Sequence, residues 1–361
     1  MTIDWRELYA SNRAAIERAG GLPGVLGADP GARERSGRWD ERTFTVAGRT
    51  RRAMVHAPAA VDAQTAVPLV CMLHGCTQDA ASFAAATLMN EAADRHGFVV
   101  VYPQQERGDN AQGCWNWFLP EHQARGVGEP ASIAAIVREL IGTASPWTID
   151  SRRVFVAGLS AGGAMAAILA ATYPDLFAAV AIHSGLAYRS AADTGAAFAA
   201  MARGTGDAVG RGRAAHSAMG AHARAVPSIV VHGSADTRVA PINADEVLQQ
   251  SMIANRLAWP EAGDLDFARP TSTSREQADG GHAYTRRQWS DRRGVLMHEL
   301  ITVDGLGHAW SGGAPGGSYT DPRGPDATEA ICRFFAQTTA GAARPTDGHG
   351  SVAGAPRLPA G

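Results

Sequence analysis

Short apolar runs alternate with longer stretches of helical periodicity along most of this chain. Pro68–Leu73, Phe98–Tyr102, Val154–Ala157, Ala178–His183 and Ser228–His232 are brief, nearly continuous apolar segments of the kind that form strands buried on both faces. Between them, Ala80–His96, Ser132–Ile141, Ala161–Thr172 and Asp245–Ala258 read as helices, and Ala327–Ala336 as a closing one. Before the alternation, Thr43–Val46 and Arg51–His56 flank Ala47-Gly48 as a hairpin; after it, Tyr284–Trp289 and Val295–Val303 read as two further strands. This pattern predicts an α/β fold with a mostly parallel central sheet and helices on both faces, functional residues lying beyond the carboxyl ends of the strands.

Three stretches depart from the alternation. Residues 1–38 read as an N-terminal arm, with Leu8, Ala15 and Ile16 on one helical face before a Gly/Pro-rich break. Residues 186–226 form an Ala/Gly-rich helical insertion placed where a cap over a site could sit, and residues 338–361 read as a disordered Gly/Pro/Ala-rich tail. Residues 39–337 are left as the expected catalytic domain. A loop over 104–127 carries Gly, Asn, Trp and Pro.

Composition narrows the function classes. The 361 residues carry a net charge of -2, and every basic residue is a scattered arginine, which argues against a nucleic-acid partner. No apolar run is long enough to span a membrane, and Met1–Gly20 has no secretory pattern. The chain as written therefore reads as cytoplasmic, or as secreted or periplasmic if a signal has been removed. Four cysteines are too few for a disulfide scaffold, and none has zinc-site spacing; no metal or organic cofactor is expected. Cys71 and Cys332 lie in apolar elements and read as buried small hydrophobes, whereas Cys76 and Cys114 sit in loops.

The strongest chemical signal is Gly158-Leu159-Ser160-Ala161-Gly162, set between a predicted strand and a predicted helix. That context suits a nucleophile elbow, in which Ser160 projects its hydroxyl from a strained turn. A serine needs a base, and in this fold the acid and then the histidine follow it in chain order. His308, in the Gly-flanked loop after Val295–Val303, is the expected base, and Asp236, just past Ser228–Val231, the expected acid. Asp304 and Asp245 are rival acids; His74, His183 and His232, all at strand ends, are rival bases. The oxyanion needs two donors. The N–H of Ala161 is one, and the loop from His74 to Gln78 offers the other, Cys76 being favoured over Thr77. Trp115, Trp117 and Trp310 lie near this site in sequence and are candidate substrate-binding aromatics, with core packing as the alternative.

Taken in order, LHGCTQDAASFA, VVYPQQ, GCWNWF, GLSAGGAMA, HSG, HGSADTRV and GLGHAWSGG resemble the polyhydroxybutyrate (PHB) depolymerase family of esterases, which also includes feruloyl and acetyl-xylan esterases. The resemblance covers about residues 43–336. It implies an α/β-hydrolase fold, a Ser160, Asp236, His308 triad and a disulfide between Cys76 and Cys114. It further implies hydrolysis of poly- or oligo-(3-hydroxyalkanoate) esters, with feruloyl, acetyl-xylan or other polymer hydrolysis as the alternative. Because the chain ends soon after the closing helix, soluble oligomers or amorphous polymer are the expected substrates. A decayed, non-catalytic binding protein and an acyltransferase are the readings from other classes; retention of all three triad residues argues against the first. Oligomeric state is left open.

Overall fold

In the computed structural model, which describes residues 37–142, 145–263 and 265–341, the alternation becomes a 10-stranded sheet. Its strands are β1 (Arg38–Val46), β2 (Arg49–Ala57), β3 (Val67–Leu73), β4 (Val99–Pro103), β5 (Ile149–Leu159), β6 (Ala179–His183), β7 (Ser228–Gly233), β8 (Ser272–Gln277), β9 (Ala283–Ser290) and β10 (Leu296–Val303). They lie in the order β1-β2-β4-β3-β5-β6-β7-β10-β9-β8. From β4 to β10 every pairing is parallel. Antiparallel pairings close both edges: β1 on β2 and β2 on β4 at one side, β10 on β9 and β9 on β8 at the other. This is the α/β-hydrolase fold.

The helices are α1 (Ala80–Thr87), α2 (Met89–His96), α3 (Gly128–Ile141), α4 (Ala161–Thr172), α5 (Thr194–Arg203), α6 (Ala208–Met219), α7 (Ile242–Ala258) and α8 (Ala327–Gly341). The period-2 geometry of a strand sends neighbouring side chains to opposite faces. On β3, Leu69, Cys71 and Leu73 join the core under α3, α4, α6 and α7, while Val70 and Met72 join the core under α1, α2 and α8. Both faces are covered, which is why these strands read as unbroken apolar runs.

Three differences from the sequence reading have physical causes. The helix expected over Ala80–His96 is two helices, broken where Leu88 adopts a left-handed φ of 57°. The break leaves Ala86 O and Thr87 O to accept hydrogen bonds from Ala314 N and Thr328 Oγ1, residues distant in sequence. Strand β8, polar and exposed, has no hydrophobic signature; it is held by its backbone ladder to β9, and its charged side chains suit an edge. The closing helix continues past Ala336 to Gly341, so the start of the expected tail is helical. The 186–226 insertion holds α5 and α6, whose Ala197, Ala200, Ala215 and Met219 are built into the core shared with α4 and α7. Residues 1–36 of the expected arm and 342–361 of the expected tail lie outside the described residues.

The face covered by α8 is closed by Phe155 of β5 stacked on Phe335 at 4.4 Å, both buried. Phe155→Ala should lower the unfolding free energy by about 3–5 kcal/mol in a urea titration; a loss below about 1 kcal/mol would show that α8 settles onto the sheet without that ring.

Candidate active site

Ser160 sits at the turn between β5 and α4 with φ 57° and ψ −119°, a backbone state that a non-glycine residue holds only when its surroundings enforce it. They do so on both sides. The Ser160 N–H donates to His183 O at 2.9 Å, tying the turn to the end of β6. Strand and helix also meet without room for a side chain: a Cβ on Gly158 would lie 2.3 Å from Gly162 C, and one on Gly162 would lie 2.0 Å from Leu73 O. The two glycines of the elbow are thus required by packing, and the first turn of α4 is pressed against the end of β3.

Asp236 occupies the turn after β7. Its Oδ1 accepts the N–H groups of Arg238 and Val239, each at 2.9 Å, and its Oδ2 lies 2.7 Å from His308 Nδ1. Burial alone would raise this carboxyl's pKa. The His308 hydrogen bond and charge, the Val239 N–H and nearby His232 outweigh it and hold the group below the ordinary carboxylate range. The turn carrying Asp236 is laced to the loop carrying His308. Ser234 N donates to Val303 O at 2.9 Å, Ala235 N to Leu306 O at 3.0 Å, and Gly305 N to Ser234 Oγ at 2.9 Å. Neither rival acid meets His308: Asp304 pairs with Arg275 at 2.6 Å and Asp245 with Arg287 at 3.4 Å.

The rival histidines are buried, each with a polar partner, and His232 Nε2 also stands 3.5 Å from Asp236 Oδ2. His74 Nδ1 is 2.9 Å from Gly75 O, and its Nε2 accepts Gln105 N–H at 3.2 Å. His183 Nε2 accepts Ser311 N–H at 3.1 Å, and the ring stacks on Trp310 at 5.0 Å. Burial, with the His232 and His308 charges, pushes His183 down to about 3, so it stays neutral and pins the loop that follows His308. His232 Nε2 is 2.9 Å from Val239 O, bracing the Asp236 turn from behind. Among the described residues, no hydrogen bond joins Ser160 to His308; Ser160 ends β5, and Asp236 and His308 follow β7 and β10 at the same carboxyl edge.

The loop after β3 is fixed by four connections. Cys76 and Cys114 form a disulfide. Thr77 N donates to Gln112 O at 2.7 Å, Gly75 N to Gln78 Oε1 at 2.9 Å, and Gln78 Nε2 to Ser318 O at 2.9 Å. The Thr77 N–H is therefore occupied, whereas among the described residues no acceptor meets the N–H of Cys76 or of Ala161. Gly75 lies against Ser160, since a Cβ on it would be 3.5 Å from Ser160 Cβ.

The three tryptophans do not offer the aromatic surface expected of them. Trp115, Trp117 and Trp310 are 3%, 5% and 1% exposed. Trp115 packs near His74 at 5.6 Å, Trp117 edge-on to Phe118, and Trp310 edge-on to Phe83 with its Nε1–H donated to Thr328 Oγ1. They pack into the interior, their rings buried against the residues named. Sequence reasoning missed what organises the Trp-bearing loop: buried Glu129 accepts Asn116 N at 2.7 Å, with Asn116 Nδ2 and Gln105 Nε2 each at 2.6 Å. It also missed Tyr319, whose ring stands edge-on to His308 at 6.1 Å. Glu129 has the sequence appearance of an ordinary first-turn helix acid, and Tyr319 that of one residue in a Gly-rich loop.

The family description "Esterase PHB depolymerase" matches residues 52–279, a stretch that includes Ser160 and Asp236 and ends before His308. Poly(3-hydroxyalkanoate) depolymerase C of Paucimonas lemoignei is 34% identical over 255 residues, 70% of this chain and 57% of that protein. Feruloyl esterase B of Neurospora crassa is 33% identical over 221 residues, 58% of this chain and 70% of that protein. Among solved structures, an acetyl xylan esterase from Aspergillus awamori superposes with a TM-score of 0.61 at 21% identity, covering 82% of this chain and 99% of that one, a likeness of fold.

Two measurements probe this architecture, one at the loop beside Ser160 and one at the opposite, amino end of β10. The Cys76–Cys114 bond spans a sequence separation of 38 residues, so the Cys76→Ser/Cys114→Ser pair should lose about 3–4 kcal/mol of unfolding free energy by chain-entropy reasoning; an unchanged denaturation midpoint would refute that role. Burial also pushes His298 down to about 3. Between that value and the ordinary histidine pKa the unfolded chain binds a proton that the folded chain refuses, so the stabilisation is full above about pH 6.5 and is lost as pH falls. His298→Gln should reduce the slope of unfolding free energy against pH between about 4 and 6 by roughly one proton; an unchanged slope would contradict the assignment.

Proposed function

The chain belongs to the PHB depolymerase family of esterases, and on that premise we propose that it is a carboxylic ester hydrolase working through Ser160, His308 and Asp236. The observation that carries this reading is the 2.7 Å contact between His308 Nδ1 and the buried Asp236 carboxylate, made across 72 residues of sequence. A carboxylate at Nδ1 fixes the tautomer with Nε2 free to accept a proton and stabilises the imidazolium that results. Ser160 Oγ attacks the ester carbonyl while His308 Nε2 takes its proton. The tetrahedral oxyanion is received by the N–H groups of Cys76 and Ala161, the latter at the positive end of α4. Collapse breaks the bond to the leaving oxygen, which takes the proton from His308 and departs as the alcohol. Water then repeats the sequence on the acyl-enzyme, releasing the acid and restoring Ser160.

We take oligo- or poly-(3-hydroxyalkanoate) as the substrate class, with Poly(3-hydroxyalkanoate) depolymerase C as the supporting relative. The chain spans 57% of that protein's length. Feruloyl esters are the second reading, favoured by the 33% identity to feruloyl esterase B. Either substrate would be processed by the same chemistry, since the motifs encode the reacting centre and leave the acyl pocket open.

Ser160→Ala and His308→Ala should each lower kcat on a 3-hydroxybutyrate trimer by about 10^4-fold or more while leaving the folded-state spectrum intact. Asp236→Ala should cost far more than Asp304→Ala, and the reverse ranking would place the acid at Asp304. With Ser160→Ala as blank, kcat/KM for the trimer against methyl ferulate decides between the two substrate classes.

A further inference from the structure

We propose that Arg238 forms a cationic subsite for a carboxylate carried on the leaving-group side of the ester, so that the enzyme prefers acid-terminated oligomers of 3-hydroxy acids to neutral esters. This rests on the esterase reading above and adds to it the charge of the substrate's end. The turn that holds Asp236 places Arg238 at the rim: the Arg238 N–H is bound to Asp236 Oδ1, and its side chain runs outward into solvent. Its guanidinium carbon lies 5.7 Å from the centroid of the Tyr319 ring, the same ring that stands 6.1 Å from His308 at an interplanar angle of 78°. The cation is thus two ring contacts from the proposed base, steadied by an aromatic face.

Among the described residues Arg238 forms no ion pair, and three acids near this edge of the sheet are held by other arginines: Asp304 by Arg275, Asp245 by Arg287 and Glu276 by Arg286. An exposed guanidinium held on a ring, with its fork of donors free, is suited to a planar carboxylate. The chemistry places that carboxylate on one side of the scissile bond. His308 passes its proton to the leaving oxygen, so the leaving group departs beside the histidine whose neighbouring ring, Tyr319, carries Arg238. In a hydroxyacid oligomer the leaving alcohol is the portion that ends in a free carboxylate. An extended chain advances roughly 3.5 Å per three backbone bonds, so a 3-hydroxyacid unit, with four, advances roughly 5 Å, and a leaving group of two units is long enough to run past the Tyr319 ring from His308 toward the guanidinium. Hydrolysis consumes one water, breaks the acyl C–O bond, and yields the shortened acid and the carboxylate-bearing alcohol. A sugar hydroxyl, the leaving group of a feruloyl or acetyl-xylan ester, brings no negative charge for this cation to pair with.

The test compares kcat/KM for the 3-hydroxybutyrate trimer as free acid and as its methyl ester, at low and high salt, in the wild type, Arg238→Gln and Arg238→Lys. Because the readout is a ratio within each protein, any general loss of activity cancels. The wild type should favour the free acid by about five- to tenfold at low salt, the worth of one exposed charge-assisted contact. That ratio should fall toward one in Arg238→Gln and with added salt, and be partly kept by Arg238→Lys. An equal rate on acid and methyl ester in the wild type, or a preference undiminished in Arg238→Gln, overturns the subsite. p-Nitrophenyl acetate separates the two levels. Wild-type turnover of it with neither trimer cleaved sinks the subsite and leaves the esterase standing, whereas activity on none of the three overturns both.

Discussion

The buried carboxylate of Asp236 is the constraint around which the rest of the site is arranged. A carboxylate taken out of water is tolerable only when its oxygens are satisfied. Here two backbone N–H groups of its own turn hold one oxygen and His308 holds the other. Because the turn and the histidine loop are cross-laced by the Ser234, Ala235 and Gly305 hydrogen bonds, the pair moves as one body. The neutral, buried His183 connects that body to the elbow: its backbone carbonyl receives Ser160 N–H and its ring receives Ser311 N–H, just past His308. One residue at the end of β6 therefore references both the Ser160 turn and the proposed base's loop to the same strand.

A second framework holds the loop opposite Ser160. The disulfide fastens Cys76 to the Trp-bearing loop, and that loop is folded around Glu129. Burial raises the Glu129 pKa, with His122, Asn116 and Gln105 pulling the other way. The carboxyl collects donors from two loops, while the buried tryptophans supply apolar mass beneath. The same economy explains why the aromatic residues nearest the site in sequence serve packing. A long Gly- and Asn-rich loop has few ways to bury itself other than over large rings, and a ring used in this way is withdrawn from a ligand. The aromatic side chain left at the rim is Tyr319, half-buried between His308 and Arg238.

Much of the architecture was legible in the residues alone, because the forces that decide it are local or periodic. Continuous apolar runs mark strands covered on both faces, and Ala161–Thr172 is helical over the range its pattern implied. The glycines at 158 and 162 mark a close strand–helix contact for which only the absence of a Cβ leaves room. The chain order of Ser160, Asp236 and His308 followed from strand order. The sequence also carried the family: the motifs that resembled PHB depolymerases lie within or close to the matched stretch.

What tertiary structure decided are matters in which distant residues compete for one partner. The break at Leu88 exists because carbonyls of α1 are claimed by Ala314 and Thr328; strand β8 exists because β9 offers it a ladder. Only the folded chain shows that His74 and His183 meet groups other than Asp236, that His232 sits between Val239 O and the acid at 3.5 Å, and that His308 makes the 2.7 Å contact with it. That the Thr77 N–H is taken by Gln112, and so is not free in the loop after β3, appears only in the folded chain. Sequence fixes which chemical groups are available and their order along the chain. Which of them remain unpaired at one edge of the sheet depends on who else has bound the alternatives, and that is settled only when the chain closes on itself.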